Sequence, residues 1–400
     1  MRIIWLAAAL WLLVPGNAAA GSADTETYVY TQAESGPADA LTEEELDALT
    51  AAGQLSDYID LDEIEAGLAE LTDTGSYSFR DTVKSLLRGE IPFDLNSLPN
   101  LLADAFLAEV TQQRQMALRI LLVVLASAIF SNFVRMLENS QIADISFFMM
   151  YLLICVMLMK SFGVMNAAVE RTCGSICGFM KVLLPSYLVA VVVSSGTVTA
   201  LGFYEVTVLA MNLMQVFLIR IVLPAINFYL VLLVLNQLSK EDFFSKLASL
   251  VETVTGWLIK TVLTVVLGLQ AVQCLIAPAV DSLKNSALHR LAKAIPGVGS
   301  VIDSAAETVA GSAAVIKNAV GVAGILALCA ICLPPLARLA AGILIYRLLC
   351  ALIQPFSDKR MVEGIESVAR GAGLLLRTLV ASVSIFIISL AMITASVKGG

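Results

Sequence analysis

The sequence predicts an all-α fold: a polytopic membrane helix bundle of seven or eight spans, with a small helical, acidic extracytoplasmic domain at its N-terminal end. Three observations predict it. Of 400 residues, 58% are hydrophobic and the mean hydropathy is +0.85, too apolar for a globule whose surface faces water. Apolar runs of spanning length recur from about residue 116 onward. Acidity is confined, since residues 21–115 hold 20 Asp/Glu against 4 Lys/Arg, whereas the chain from 116 onward carries 20 Lys/Arg against 13 Asp/Glu. The low pI of about 4.9 therefore describes one quarter of the chain.

Residues 1–20 read as a secretory signal. Arg2 precedes an apolar run from Ile3 to Val14, followed by Pro15, Gly16 and the small-residue cleavage site Ala18-Ala19-Ala20. That run is about 12 residues, short of the ~20 a spanning helix needs. Residues 21–40 carry almost no aliphatics and read as a flexible leader. From 41 to 112 the pattern is that of amphipathic helices. Thr42 with Glu45 forms a capping box. Leu61, Ile64, Leu68 and Leu71 then fall at spacings of three and four, and Phe79, Val83, Leu86 and Leu87 repeat the pattern after Gly75. The acidic face reads as solvated surface that could also meet a basic partner.

The polytopic membrane domain is placed at 116–397. Its predicted spans are Ala117–Val134, with Arg119 able to snorkel, Ile145–Met159, ended by Lys160, and Val182–Leu201, which contains Pro185. Val206–Leu238 follows, broken only by Arg220 and Pro224, and reads as one bent helix or a hairpin. Trp257–Ala277 comes after an interfacial turn at Phe243–Val251. Val320–Leu333, Leu336–Ile353 and Leu374–Thr394 complete the set. The distribution of Lys and Arg favours a single crossing at 206–238, with residues 280–324 on the cytoplasmic side and the C-terminal tail outside.

Residues 280–324 are neither apolar enough for an ordinary span nor polar enough for a free loop, and could be re-entrant. Ala306, Ala310 and Ala314 form a small-xxx-small ladder, extended by Gly299, Gly311, Gly321 and Gly324; such positions let helix backbones approach closely. Close packing is one reading. The other is a water-filled path lined by Asp303, Glu307 and Lys317, with Pro296 and Gly297 breaking a helix as in transporters. Among the arginines in apolar runs, snorkelling accounts for Arg338 and Arg377, and Arg347 is the best candidate for a buried functional charge or ion-pair partner.

Catalytic and cofactor patterns are missing from the sequence. It has no Walker A motif, no Gly-x-Ser-x-Gly, no His-Glu-x-x-His and no dinucleotide-binding glycine pattern. One histidine, His289, with seven Cys, argues against a zinc site, and no metal or other cofactor is expected. Cys173 and Cys177 flank a short polar stretch and could form a disulfide if it lies in a loop facing an oxidising compartment. The chain is not expected to be an enzyme.

The run Ile295-Pro296, Gly299, Asp303, Glu307-Thr308-Val309, Lys317-Asn318-Ala319-Val320-Gly321 and Gly324, then Leu333-Pro334, Tyr346 and Gln354-Pro355, resembles the stage III sporulation protein AE family. Ile221-Val222-Leu223-Pro224 before a long apolar run fits too, as does the order of signal, acidic region and multispan body. The resemblance implies a component of a transenvelope complex between mother cell and forespore in endospore-forming bacteria. Implied partners are the other proteins of the same sporulation operon, namely a cytoplasmic secretion-type ATPase and ring-forming membrane proteins, and indirectly a forespore membrane protein. The implied location is the mother-cell membrane around the forespore. No catalytic residues are established for the family, and none is carried over.

The leading expectation is a membrane subunit of a channel or secretion-type apparatus, acting through assembly. The alternatives are an autonomous secondary transporter for a small metabolite, motivated by Pro296, Asp303, Glu307 and Lys317, or a scaffold without a pore. The lipid bilayer is an expected partner and nucleic acid is not.

Overall fold

The computed structural model describes residues 61–71, 78–89, 98–136, 140–195, 199–238, 242–292 and 299–396. The signal and leader expected at 1–40, and Pro296, lie outside them. Every regular element among the described residues is helical.

Among the described residues two short helices come first, α1 (Leu61–Leu71) and α2 (Phe79–Leu87). Ser78 caps α2 by accepting the Asp81 N–H at 3.2 Å, which satisfies a donor the helix start would otherwise leave free. Ile64, Leu68, Phe79, Val83 and Leu87 are buried, so one face of each helix is spent on packing. Arg80 ties the pair together: its N–H donates to Glu65 Oε2 at 3.0 Å and its guanidinium pairs with Asp62.

Six long helical rods follow: α3 (Leu98–Met136), α4 (Ser140–Ser195), α5 (Thr199–Phe217) joined through a π turn (Leu218–Val222) to α6 (Leu223–Leu238), α7 (Ser245–Ala292), α8 (Gly299–Ile353) and α9 (Lys359–Ser396). Each contains a stretch long and apolar enough to cross a membrane, giving six candidate spans among the described residues: Phe106–Phe130, Phe148–Leu188, Glu205–Leu238, Ser245–Gln273, Val315–Ile353 and Lys359–Thr394. The expected count of seven or eight is corrected at two places. Ile145–Met159 and Val182–Leu201 belong largely to one helix, α4, and Val320–Leu333 and Leu336–Ile353 are one helix, α8, that runs unbroken through Pro334 and Pro335. At 56 residues, α4 is about 84 Å long at ~1.5 Å per residue, far more than the ~30 Å of hydrocarbon in a bilayer.

The rod at 199–238 is one helix, with Arg220 exposed on it. Pro224 removes the N–H that would reach the Arg220 carbonyl. Just upstream the backbone widens into the π turn, where the Leu223 N–H bonds to the Leu218 carbonyl five residues back. The α6–α7 connection is pinned by Asn236, whose Oδ1 accepts the Phe244 N–H at 2.9 Å and whose Nδ2 donates to Asp242 at 3.2 Å.

Contacts between rods fix their directions. Tyr151, Phe162 and Tyr187 of α4 meet Gly364, Gly371 and Thr394 of α9 in the same order, so the two run parallel. The Tyr151 hydroxyl donates to the Val234 carbonyl at 3.0 Å, and Phe162 and Leu230 both lie at Gly371, so α6 runs antiparallel to both. Tyr229 with Glu252 and Thr207 with Gln273 make α5–α6 and α7 antiparallel. In α8, Gly342 lies at Met165, Gly324 at Leu183 and Leu390, and Gly321 at Tyr187 and Thr394, antiparallel to α4 and α9.

Each connection therefore reverses the chain. The end of α3 and start of α4, the end of α6 and start of α7, and the end of α8 and start of α9 gather at one end, and the end of α4 and start of α5, with the end of α7 and start of α8, gather with Ser396 at the other. Helices α1 and α2 also pack at that second end, where Gly67 touches Val182 and the Phe79 and Phe179 rings meet edge to face with centroids 6.4 Å apart. The stretch at 280–324, expected on the opposite side from the acidic region, divides between the end of α7 and the start of α8. It lies at the α1–α2 end.

Helix α9 is the centre of the bundle. It packs on α4, α6, α7 and α8, and none of its described large hydrophobic side chains is exposed. The outer rods are two-faced. On α4, Phe148, Met149, Leu152, Leu153, Val156 and Val164 point outward, whereas Glu170, Arg171 and Lys181 occupy the outward face further on. The exposed Lys160 lies between Val156 and Val164, where its long side chain can reach the interface.

Candidate functional site

Helices approach one another closely where α8 crosses α4 and α9. Helix α8 is continuous from Gly299, so positions 299, 303, 307, 310, 314, 317, 321 and 324 recur at spacings of four and three along one helical register. Gly299, Asp303, Glu307 and Ala310 lie in the helix, with side chains outside the described set. Lys317, Gly321 and Gly324 are buried.

Gly321 and Gly324 are holes into which the neighbouring helices fit. A Cβ at 321 would stand 2.6 Å from Thr394 Oγ1 and 3.2 Å from the Tyr187 hydroxyl. These two groups hydrogen-bond each other at 2.7 Å, and Thr394 Oγ1 also donates to the Leu390 carbonyl at 2.8 Å. A Cβ at 324 would stand 2.7 Å from Leu183 Cδ2 and 2.9 Å from Leu390 Cδ2. Close backbone approach is what such small-residue positions provide in membranes.

Lys317 sits one turn before Gly321 and is only 1% exposed. An ammonium held out of water at this depth is costly, and buried intramembrane charges mark functional positions by default. Arg347, expected as the buried charge, is exposed on α8; at 23 residues from Gly324 it falls on a different face of the helix. Among the described residues the buried cation is Lys317 instead.

Arg338 does not merely snorkel. Its guanidinium holds Glu109 of α3 at 3.0 Å, with Nε 3.2 Å from both carboxylate oxygens. One turn along α3, Gln113 donates to the Arg338 carbonyl at 2.9 Å, an approach that Gly342 leaves open. This clasp joins helices 229 residues apart in sequence.

Cys173 and Cys177, which could have paired had they lain in a loop, lie within α4, and both thiols are free. Cys177 donates instead to Asn212 Oδ1 at 3.6 Å. Among the described residues no His, Cys, Asp or Glu cluster could hold a metal ion.

One set of residues escaped the sequence reading. Ser367, Gly371, Thr378, Ser382 and Ser389 repeat along α9 at spacings of four and seven, and all are buried. Around them, Gln270 of α7 hydrogen-bonds Ser389, Thr207 of α5 donates to Gln273 at 3.0 Å, and Tyr229 of α6 donates to Glu252 at 2.8 Å. The signal was present as a helical period of hydroxyl residues in an otherwise apolar run.

The architecture is that of a polytopic α-helical membrane protein knit by small-residue crossings around a buried apolar helix that carries a line of hydroxyl residues. The Stage III sporulation protein AE family model matches residues 77–397, and the chain belongs to that family. It is 23% identical over 270 residues to the Stage III sporulation protein AE of Bacillus subtilis (strain 168), an alignment covering 66% of this chain and 68% of the relative. No solved structure matches.

Proposed function

We propose that the protein is a membrane subunit of a multiprotein channel or secretion-type apparatus that links mother cell and forespore during endospore formation and supports late forespore gene expression. Family membership over 77–397 carries this reading. In this reading a cytoplasmic secretion-type ATPase supplies energy, and the chain, whose sequence has no Walker A motif, acts through assembly. The protein sits in the mother-cell membrane around the forespore with α1 and α2 on the extracytoplasmic side. From there the acidic N-terminal region meets ring-forming partners of the same operon, and through them a forespore membrane protein.

Two features of the bundle support an assembly role. The rods are longer than a bilayer is thick, leaving helix surface outside the membrane for partners. Crossings at glycine also give a rigid body on which partners can register. Affinity purification from sporulating cells tests the proposal. Elution with the ATPase and ring proteins, with no solute transport by the purified chain in proteoliposomes, is expected. Solute transport by the chain alone, without co-eluting partners, would overturn it.

A further inference from the structure

The register of the rods brings their outward cations to one height. Gly342 of α8 lies against Gln113 of α3 and Met165 of α4. Arg114 adjoins that contact, and Arg119, Lys160 and Arg347 each lie five or six residues from it toward the Lys359 end of the bundle. On the other flank, the Tyr229–Glu252 and Thr207–Gln273 pairs set Arg220 opposite Lys260. Phe162 and Leu230 meet at Gly371, so that pair falls near Arg171 of α4. From Lys160 to Arg171 the layer is about 16 Å deep. Arg114, Arg119, Lys160, Arg220, Lys260 and Arg347 are all exposed, and among the described residues none of them is in an ion pair. Of the carboxylates at this height, Glu109 is held by Arg338, Glu252 accepts from Tyr229 and Glu170 stands exposed.

This layer divides two kinds of surface. Toward the Lys359 end every outer rod turns large apolar side chains outward, such as Ile129 on α3, Leu152 on α4, Leu235 on α6, Leu250 on α7 and Leu352 on α8. Past the layer the outward face of α4 carries Glu170, Arg171 and Lys181, and α1 and α2 pack there with the Asp62 side chain 81% exposed. A cation facing hydrocarbon is costly unless it reaches the interface, and here five rods each present one at the same height. Side chains lean toward the N-terminal end of their helix. Arg114, Arg119, Arg220 and Arg347 therefore all lean away from the apolar side, the direction that snorkelling requires.

We infer that this layer lies at the phosphate level of one leaflet and binds the headgroups of anionic phospholipids. The planar fork of a guanidinium matches two phosphate oxygens at once, and an ammonium serves as a point charge beside it. Clustered Lys and Arg at a membrane surface are drawn to anionic lipid by the same charge. The bilayer covers the apolar side, and the rods continue past the layer into water. The inference stands apart from the role proposed above, since it concerns only the bundle and its lipid.

The test uses full-length protein in nanodiscs of phosphatidylcholine, with and without phosphatidylglycerol. Phosphatidylglycerol should raise the thermal unfolding midpoint by several degrees. The quadruple variant Arg119→Gln, Lys160→Gln, Arg220→Gln and Lys260→Gln should lose most of that rise. The triple variant Lys84→Gln, Arg88→Gln and Lys181→Gln, whose cations lie past the layer, should keep it. Inorganic phosphate added to phosphatidylcholine nanodiscs should give no rise, which separates a lipid headgroup from a free anion. Equal midpoints in the two bilayers, a rise that survives the quadruple variant, or the same rise with inorganic phosphate would overturn the inference. Should the quadruple variant fail to fold, single cysteines on cysteine-free protein decide. Leu213→Cys of α5 and Leu269→Cys of α7, both exposed past the layer, should react in nanodiscs with a membrane-impermeant maleimide at least about tenfold faster than Leu235→Cys. Equal protection at all three would put the layer inside the hydrocarbon and overturn the inference as well.

Discussion

The hydroxyls of Tyr187 and Thr394 share a hydrogen bond of 2.7 Å across α4 and α9, and Gly321 of α8 lies directly against the pair. Three rods meet at one point because one of them has no side chain there. Thr394 cannot move aside cheaply, since its Oγ1 also bonds the Leu390 carbonyl and a β-branched side chain is stiff at χ1.

Glycine substitutions should therefore rank by what a Cβ meets. Gly321→Ala is expected to cost about 1–3 kcal/mol through overpacking. Gly324→Ala should cost less, because the obstructing atoms are the flexible ends of Leu183 and Leu390. Gly174→Ala, with nothing within 4 Å, should stabilise by up to about 1 kcal/mol through helix propensity. Thermal unfolding in detergent gives the order. A destabilisation by Gly174→Ala as large as that by Gly321→Ala would contradict the packing account.

The Glu109–Arg338 clasp makes a second prediction. The Glu109 side chain is 12% exposed and that of Arg338 39%, so removing the arginine strands a nearly buried carboxylate. Arg338→Ala should destabilise more than the double variant Glu109→Gln with Arg338→Ala, because an uncompensated buried charge costs more than the pair is worth. A double-mutant cycle on unfolding midpoints measures this, and additive effects would mean the two side chains are uncoupled.

Phe79 anchors α2 on Phe179 and is fully buried. Phe79→Ala should cost about 3–5 kcal/mol locally and release α1 and α2 while the spans stay folded. Limited proteolysis should then cut between residues 60 and 90 and leave a protected fragment from α3 onward. Unchanged protection of α1 and α2 would place their anchoring elsewhere.

Lys317→Met conserves side-chain volume and removes the buried charge, and gel filtration in detergent first establishes how much folded protein accumulates. If the charge is used in function, spore yield should fall sharply in cells carrying it. Normal spore yield would reduce Lys317 to a structural residue.

Local pattern carried the helices, because spacings of three and four are visible in a single segment, and it picked out Gly321 and Gly324, which lie against neighbouring helices. It miscounted spans where helices outrun the membrane. Between 165 and 181 the charges Glu170, Arg171 and Lys181 look like a loop, yet Cys173, Ile176, Phe179 and Met180 alternate with them on a buried face. Pro334 and Pro335 read as a break, but a buried helix packed by neighbours tolerates them. The Glu109–Arg338 clasp had no local signature, since its partners lie far apart in the chain. Arg347 was misjudged because depth within a span says nothing about which face a residue occupies.

The alternating direction of the six rods is the claim on which orientation, the placing of α8 and the reading of the acidic region all rest. Single cysteines at Asp81, Phe243, Arg290 and Lys359, on a background lacking the native Cys, test it with a membrane-impermeant thiol reagent on intact cells expressing the protein. Labelling at 81 and 290, with 243 and 359 reacting only after lysis, is the expected result and puts the start of α8 on the same side as α1 and α2. Labelling at 81 with 290 protected would contradict the six-rod alternation.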